Sequence, residues 1–338
     1  MSGRLGISAV GPLLVLAAIA GCTWPGGGGR RETLALRFDW PVGLTAFVET
    51  ERSTRTTGPL GPSSTTARMS YRIGVEEAQD GRLIRYGDIR AEDPDNGQIY
   101  PLDELPEPLA SQFIALFPSY VVSDEGQLVR LEGVEPLIEE ARRKLESRLA
   151  ELPPESADAR MLAASGVSEE RLLAAAREHW EQLAGAWSGT SLVVGESYRR
   201  KHRLLVPALG GLRIVSTTEL SVGQRIPCGE ETTAADCVEI QVRSRPVPEA
   251  LAQLEKAMRE RSREATPGGF GALENLEIEE SSYLVTEPST LIPHYLETTT
   301  KFHATLLRPG EADTVITDLD QHIYRYHYVP QGGEAAAQ

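Results

Sequence analysis

The side chains that could do chemistry are few and scattered. Six histidines occur: His179, His202, His294, His303, His322 and His327. A strand over His322-Ile-Tyr324-Arg-Tyr326-His327-Tyr328 puts His322, Tyr324, Tyr326 and Tyr328 on one face and His327 on the other. That row becomes a metal site only if His294 or His303 converges with His322; otherwise it is a half-exposed packing face, the commoner use. Asp318-Leu-Asp320 sets two carboxylates on one strand face, which solvation alone explains. Asp93-Pro-Asp95-Asn-Gly97 has carboxylates at two-residue spacing but lacks the later glutamate of a calcium loop, so it reads as a turn. Arg199-Arg200-Lys201-His202-Arg203 is the one basic run. It suits anionic headgroups or an acidic partner, or it blunts a solvated strand edge. There is no Gly-x-Ser-x-Gly elbow, Ser-x-x-Lys, His-Glu-x-x-His or Walker loop. The expectation is therefore no catalytic residue, no metal and no cofactor.

Composition narrows the partners. The chain has 338 residues, with Lys+Arg at 34 and Asp+Glu at 49, a net charge of −15. Such a body repels phosphates over its whole surface, which argues against nucleic acid. Three cysteines are too few for a zinc ribbon or an iron–sulfur ligand set.

The N-terminus carries the strongest signal. Met1–Arg4 bears one positive charge, and Leu5–Ala20 is an apolar stretch of 16 residues broken by Gly6, Gly11 and Pro12. A spanning helix needs about 20 residues, so this segment reads as a secretory leader. It ends in Ile19-Ala20-Gly21-Cys22, which resembles the lipobox of bacterial lipoproteins. The resemblance implies cleavage after Gly21, acylation of Cys22 and a bilayer as the first partner. The alternative is an ordinary leader with a coincidental cysteine. Several acyl chains, at about 0.8 kcal/mol per buried CH₂, anchor durably where one is marginal. A Gly-rich tether follows over 22–33, spanning roughly 20 Å as a random coil. Thr23 in place of an aspartate points to the outer membrane, facing the periplasm, if the source is Gram-negative.

With Cys22 set aside, Cys228 and Cys237 remain, eight residues between them. An even pair in an oxidising compartment reads as a disulfide, worth roughly 2–3 kcal/mol for so short a loop. A Cys–Cys metal pair competes, but no nearby histidine completes it.

The elements that must position these groups run strands, helices, strands. Leu34–Trp40 alternates with period two, Leu44 opens a run reaching Thr57, and Met69–Val75 and Leu83–Ile89 flank the hairpin signal Asp80-Gly81. Pro106–Phe117 reads as a helix, and Asp124-Glu125-Gly126 as a second hairpin turn. Leu137, Ile138, Ala141, Leu145, Leu149 and Leu152 make one helix stripe. Arg171–Trp187 makes another helix, with Ser168 as its cap and Trp180, Leu183, Ala184 and Trp187 in core spacing. Leu192–Val206, Leu212–Ile226 and Cys237–Ser244 read as strands, Glu249–Arg263 as a helix and Thr266–Gly271 as a loop. Ile278–Val285, Tyr295–Leu307 and Thr314–Val329 close the pattern. Trp40-Pro-Val42-Gly43 is echoed 152 residues later by Leu192-Val-Val194-Gly195, which points to two related halves.

The expected fold is α+β: a predominantly antiparallel, curled sheet of half-barrel type carrying amphipathic helices. Its parts are a signal peptide (1–21), the tether (22–33), a first β lobe (34–132), a helical segment (133–189), a second β lobe (190–330) and a disordered tail (331–338). A lipobox followed by long antiparallel strands and amphipathic helices resembles bacterial envelope lipoproteins of the lipoprotein-carrier, Lol-like, architecture. Tyr120–Gly133 and Glu287–Pro293 are similar to segments of uncharacterised secreted families of that kind. The resemblance implies a half-barrel whose apolar face holds acyl chains, with Trp180 and Trp187 as ligand walls. The function expected is a noncatalytic envelope lipoprotein that binds a hydrophobic ligand or a partner envelope protein. The alternative is an envelope hydrolase whose serine, histidine and aspartate converge from distant positions.

Overall fold

The computed structural model describes residues 32–58, 61–105, 118–151, 169–206, 212–229, 236–265, 272–307 and 312–329. The expected leader, Gly21, Cys22, nearly all of the tether, the Pro106–Phe117 helix, the Ser168 cap, the Thr266–Gly271 loop and the tail lie outside the described residues. In the first part of the chain are β1 (Thr33–Ala35), β2 (Thr45–Thr57), β3 (Ser63–Ala78), β4 (Gly81–Glu92), β5 (Ile99–Pro101), β6 (Ser119–Val122) and β7 (Leu128–Glu132). Helices α1 (Val134–Glu151) and α2 (Glu169–Trp180) follow. Then come β8 (Ser191–Val193), β9 (Ser197–Val206), β10 (Leu212–Ile226), β11 (Cys237–Pro246), α3 (Pro248–Ala265), β12 (Ala272–Thr286), β13 (Pro293–Leu307) and β14 (Thr314–Tyr328).

Among the described residues, twelve strands form one open antiparallel sheet in the order β7-β6-β4-β3-β2-β14-β13-β12-β11-β10-β9, with β5 added to β4. Apart from β1 and β8, the described strands of both expected lobes thus belong to a single sheet, and they meet where β14 pairs β2. Each set runs as a meander in the same direction along the sheet. The echoed glycines do the same local work. Gly43 and Gly195 both take positive φ, and their N–H groups donate to Val75 O and Val222 O, each at 2.8 Å. Gly195 also divides the strand expected over Leu192–Val206, because that turn separates β8 from β9.

The first expected strand is corrected. Leu34, Leu36, Phe38 and Trp40 alternate into the core, but only Thr33–Ala35 is a strand, and it pairs β8 in a separate two-stranded ribbon. Beyond it the chain is an extended strap bonded to turns: Arg37 N to Pro288 O (3.0 Å) and Asp39 N to Thr290 O (3.0 Å). Trp40 Nε1 adds a bond to Leu291 O (3.0 Å). The strap shows that the sheet is bent. Arg37 holds the β12–β13 turn, while a Cβ on Gly126, in the β6–β7 turn, would lie 2.7 Å from Phe38 Cβ. Along a flat sheet those turns would be at least five strand steps apart, about 24 Å. Only a sheet wrapped round the strap brings both to neighbouring residues.

The core fills the inside of the bend. Trp40, Trp180 and Trp187 are at most 2% exposed and pack with Val48, Ile240, Leu284 and Leu296. The helix expected to reach Trp187 ends as α2 at Trp180 and continues as one π turn, Glu181–Gly185. Gly185 permits this, since a Cβ there would meet the Trp180 ring at 2.7 Å. A smaller cluster packs Leu254 of α3 on Leu276 and Ala304, at the other end of the strands.

Candidate functional site

Strand register places side chains in transverse rows on the inner face, the one that the strap and helices cover. Nearest the strap the row is apolar: Val222, Ile240, Leu284 and Leu296 on β10 to β13. Near α3 the face is apolar again, with Leu276 and Ala304 packed on Leu254. Between them runs a polar belt. Its central row is Thr218, Ser244, Glu280, Thr300, Asp320 and Thr54, one residue from each strand between β10 and β2. Its flanking rows contribute Ser282, His322 and Arg52 on one side, and Ser216 and Asp318 on the other. Ser216, Thr218, Ser244, Glu280 and Ser282 are buried.

The belt is only partly satisfied from within. Arg52 clasps Asp320 with two hydrogen bonds, Nε–Oδ1 at 3.0 Å and Nη2–Oδ2 at 2.7 Å. Thr54 Oγ1 donates to the same carboxylate at 3.3 Å. Burial opposes ionisation of Asp320, but the Arg52 bonds and charge outweigh it and hold the pKa below the ordinary value. Ser216 Oγ, Glu280 Oε2 and Asp318 Oδ1 are buried without a hydrogen-bond partner. An unsatisfied buried polar group costs about 1–3 kcal/mol. Desolvation raises the Glu280 pKa to about 7, and it raises that of Asp318 together with the neighbouring Asp320 charge.

Two imidazoles border the belt. The His179 ring, from α2, lies 5.5 Å from that of Tyr324, whose hydroxyl is 3.2 Å from His322 Nδ1. Desolvation lowers the pKa of both histidines to about 4, with Arg52 adding to the effect at His322. Both are neutral at pH 7. The belt can therefore accept hydrogen bonds from hydroxyl, amide or ammonium groups. Among the described residues the hydrogen bonds of histidine rings go to Tyr324 and Glu287, and none joins a serine to a histidine.

The residues singled out from sequence are dispersed. Trp180 and Trp187 sit in the packed core, their Nε1–H groups donating to Gly126 O (2.8 Å) and Gln182 O (3.1 Å). Arg199–Arg203 lies on β9, an edge strand of the sheet. Asp318 and Asp320 do share a face, but it is the inner one. The alternation of Arg52 and Thr54 with Asp318, Asp320 and His322 held the only trace of the belt. Pairing between β14 and β2 was needed to see it.

Cys228 and Cys237 form a disulfide, S–S 2.05 Å and Cα–Cα 5.0 Å. One expectation about them is corrected: a histidine does stand beside the pair. His294, 57 residues beyond Cys237 in the chain, has a ring nitrogen within 4.8 Å of both sulfurs. It lies at the start of β13, and Nε2 is 3.1 Å from Glu287 Oε1. The hydrogen bond from His294 keeps the Glu287 pKa below the ordinary carboxylate value. Cys228, His294, Glu287, Asp236 and Arg225 line an open groove of about 600 Å³, with strap residues Thr33–Ala35 along one side.

No protein-family model and no curated protein sequence matches the chain. Among solved structures, lipovitellin, described for its lipid–protein interactions, is similar at a TM-score of 0.38 and 11% identity. That match covers 89% of this chain and 26% of lipovitellin, so the chain spans about a quarter of its length. An outer membrane channel from Pseudomonas putida F1 is similar at a TM-score of 0.18 and 8% identity, over 90% of this chain and 100% of the channel. Likenesses this low carry no argument about what the chain does.

Proposed function

We propose that the protein is a noncatalytic envelope lipoprotein, held on the membrane through acylated Cys22, whose inner sheet face binds an amphiphilic, lipid-like ligand. The belt is the observation that carries this reading. A polar row with orphaned acceptors at Glu280 and Asp318, flanked by apolar rows, matches a molecule with a donor-bearing head and an apolar body. In this reading the bent sheet is the half-barrel of the carrier architecture, built of two related halves. Among the described residues no helix is long and apolar enough to cross a membrane; in this reading the anchor is the acylated Cys22. In a Gram-negative cell the address is the outer membrane, facing the periplasm. The solid packing of Trp40, Trp180 and Trp187 favours a second reading, in which the body meets a partner envelope protein.

Native mass spectrometry of protein extracted from membranes tests both parts. The expected result is covalent acyl mass that Cys22→Ser abolishes, with a lipid-like molecule that dissociates on denaturation and is retained less by Glu280→Gln. Unacylated protein overturns the anchor. Acylated protein that neither copurifies with nor rebinds fatty amine, fatty acid or phospholipid overturns the ligand and leaves the partner role.

A further inference from the structure

The corner where the cystine meets His294 has the parts of a metal site that the disulfide keeps closed. Cys228 Sγ, Cys237 Sγ and a His294 ring nitrogen all lie within 4.8 Å of one another. A tetrahedral zinc ion, with Zn–S about 2.3 Å and Zn–N about 2.0 Å, needs its ligands roughly 3.5–3.8 Å apart. The histidine nitrogen, within 4.8 Å of both sulfurs, stands near that spacing, and the bonded sulfurs must part to make room for the ion.

The histidine is also held as a metal ligand is held. Its Nε2 is engaged by Glu287 Oε1, and the other carboxylate oxygen, Oε2, accepts from Thr290 Oγ1 at 2.8 Å. The ring edge packs on Tyr328, centroids 5.2 Å apart, and Tyr328 Oη donates to Pro293 O at 2.5 Å. A carboxylate on the outer ring nitrogen fixes tautomer and orientation at zinc sites. Here it leaves Nδ1 as the nitrogen available to a metal. Cys237 is fully buried, whereas Cys228 and His294 open on the groove, which supplies an entry path and room for a fourth ligand.

We propose that reduction of the Cys228–Cys237 disulfide converts this corner into a Cys₂His zinc site with one open coordination position. A dithiol reductant donates two electrons and two protons, becoming a disulfide itself, and the S–S bond is replaced by two thiols. Zinc then displaces both thiol protons, and its two charges are balanced by the two thiolates. The oxidised pair offers no thiolate, so disulfide and metal exclude each other. This inference does not depend on what the inner face binds.

The test uses the full chain, reduced by a dithiol, desalted without oxygen and titrated with Co²⁺ as a visible stand-in for Zn²⁺. Reduced protein is expected to take up one Co²⁺ with tetrahedral and thiolate bands that Zn²⁺ bleaches, and oxidised protein none. His294→Ala should weaken binding at least tenfold, and Glu287→Gln roughly 10–100-fold, the effect typical of a lost outer partner. Reduced protein of native circular dichroism that binds no Co²⁺, or His294→Ala binding as tightly as wild type, overturns the proposal. If reduction loosens the fold, Zn²⁺ should restore the circular dichroism, since binding and folding are then one equilibrium. Failure to restore it overturns the proposal equally.

Discussion

Glu280 is 8% exposed, and desolvation lifts its pKa from 4.5 to about 7. Between those values the unfolded chain loses a proton that the folded chain keeps, so stability falls as pH rises and levels off above 7. At 1.36 kcal/mol per unit the penalty reaches about 3 kcal/mol. His179 and His322 act in the opposite sense, because burial lowers both to about 4. Between pH 6.5 and 4 the unfolded chain takes up protons that the buried rings refuse, and stability falls as pH falls. The wild type should therefore be most stable near pH 6–7. Glu280→Gln removes the upper limb and leaves the lower one. It should exceed wild type by up to about 3 kcal/mol at pH 8 and by much less at pH 5. Urea unfolding at the two pH values checks this, and parallel curves for the two proteins would refute the assignment.

Among the elements, the strap and the β6–β7 turn meet at a residue with no room for a side chain. Gly126 sits at φ +82°, and an added Cβ would lie 2.7 Å from Phe38 Cβ and 2.8 Å from Ser188 Oγ. Its carbonyl meanwhile accepts the Trp180 indole N–H. Strap, hairpin and α2 are thus pinned at one residue that has no room for a side chain. Gly126→Ala combines left-handed strain with overpacking, a cost of roughly 2–4 kcal/mol. Gly97, at φ +71° with nothing within 4 Å of an added Cβ, is the control. Gly97→Ala should cost only about 1 kcal/mol, the strain alone. Equal midpoints for the two variants in denaturant would show that the crowding at Gly126 is relieved cheaply. The basic run Arg199–Arg203 lies on β9, an edge of the sheet, where charged side chains generally discourage edge-to-edge pairing.

For the molecule as a whole, the seam between β14 and β2 decides whether there is one sheet or two. Twelve residue pairs, from Thr317–Thr57 to Tyr328–Ala46, join the two ends of the chain in the middle of the sheet. Arg52–Asp320 crosses this seam, as does Thr54–Asp320. Removing residues 312–338 would leave β2 and β13 as long open edges, and such edges recruit other chains. The truncated protein should be insoluble or aggregated, as sedimentation and far-UV circular dichroism would report. A soluble monomer with native strand content would show that the two meanders fold separately. Pairing over such sequence distances also places refolding of the intact chain in the slow range of sheet proteins, milliseconds to seconds or longer.

Much of the local structure was legible in the residues themselves. Period-two alternation marked the strands, Asp80-Gly81 and Asp124-Glu125-Gly126 marked their turns, and the even cysteine pair marked the disulfide. These are short-range effects of backbone sterics and side-chain alternation, and they act within a few residues. The same alternation in Leu34–Trp40 predicted burial correctly but not sheet membership, because an extended segment alternates whether its neighbours are strands or turns. Which strand lies beside which is another kind of fact. Backbone hydrogen bonds carry no residue identity, so β14 could have paired with any open edge until the whole sheet was assembled. Only that assembly aligned Glu280, Thr300, Asp320 and Thr54 into a row. It also brought His294 to the cystine, because β12 pairs with both β11 and β13 and so sets the starts of those two strands one strand apart.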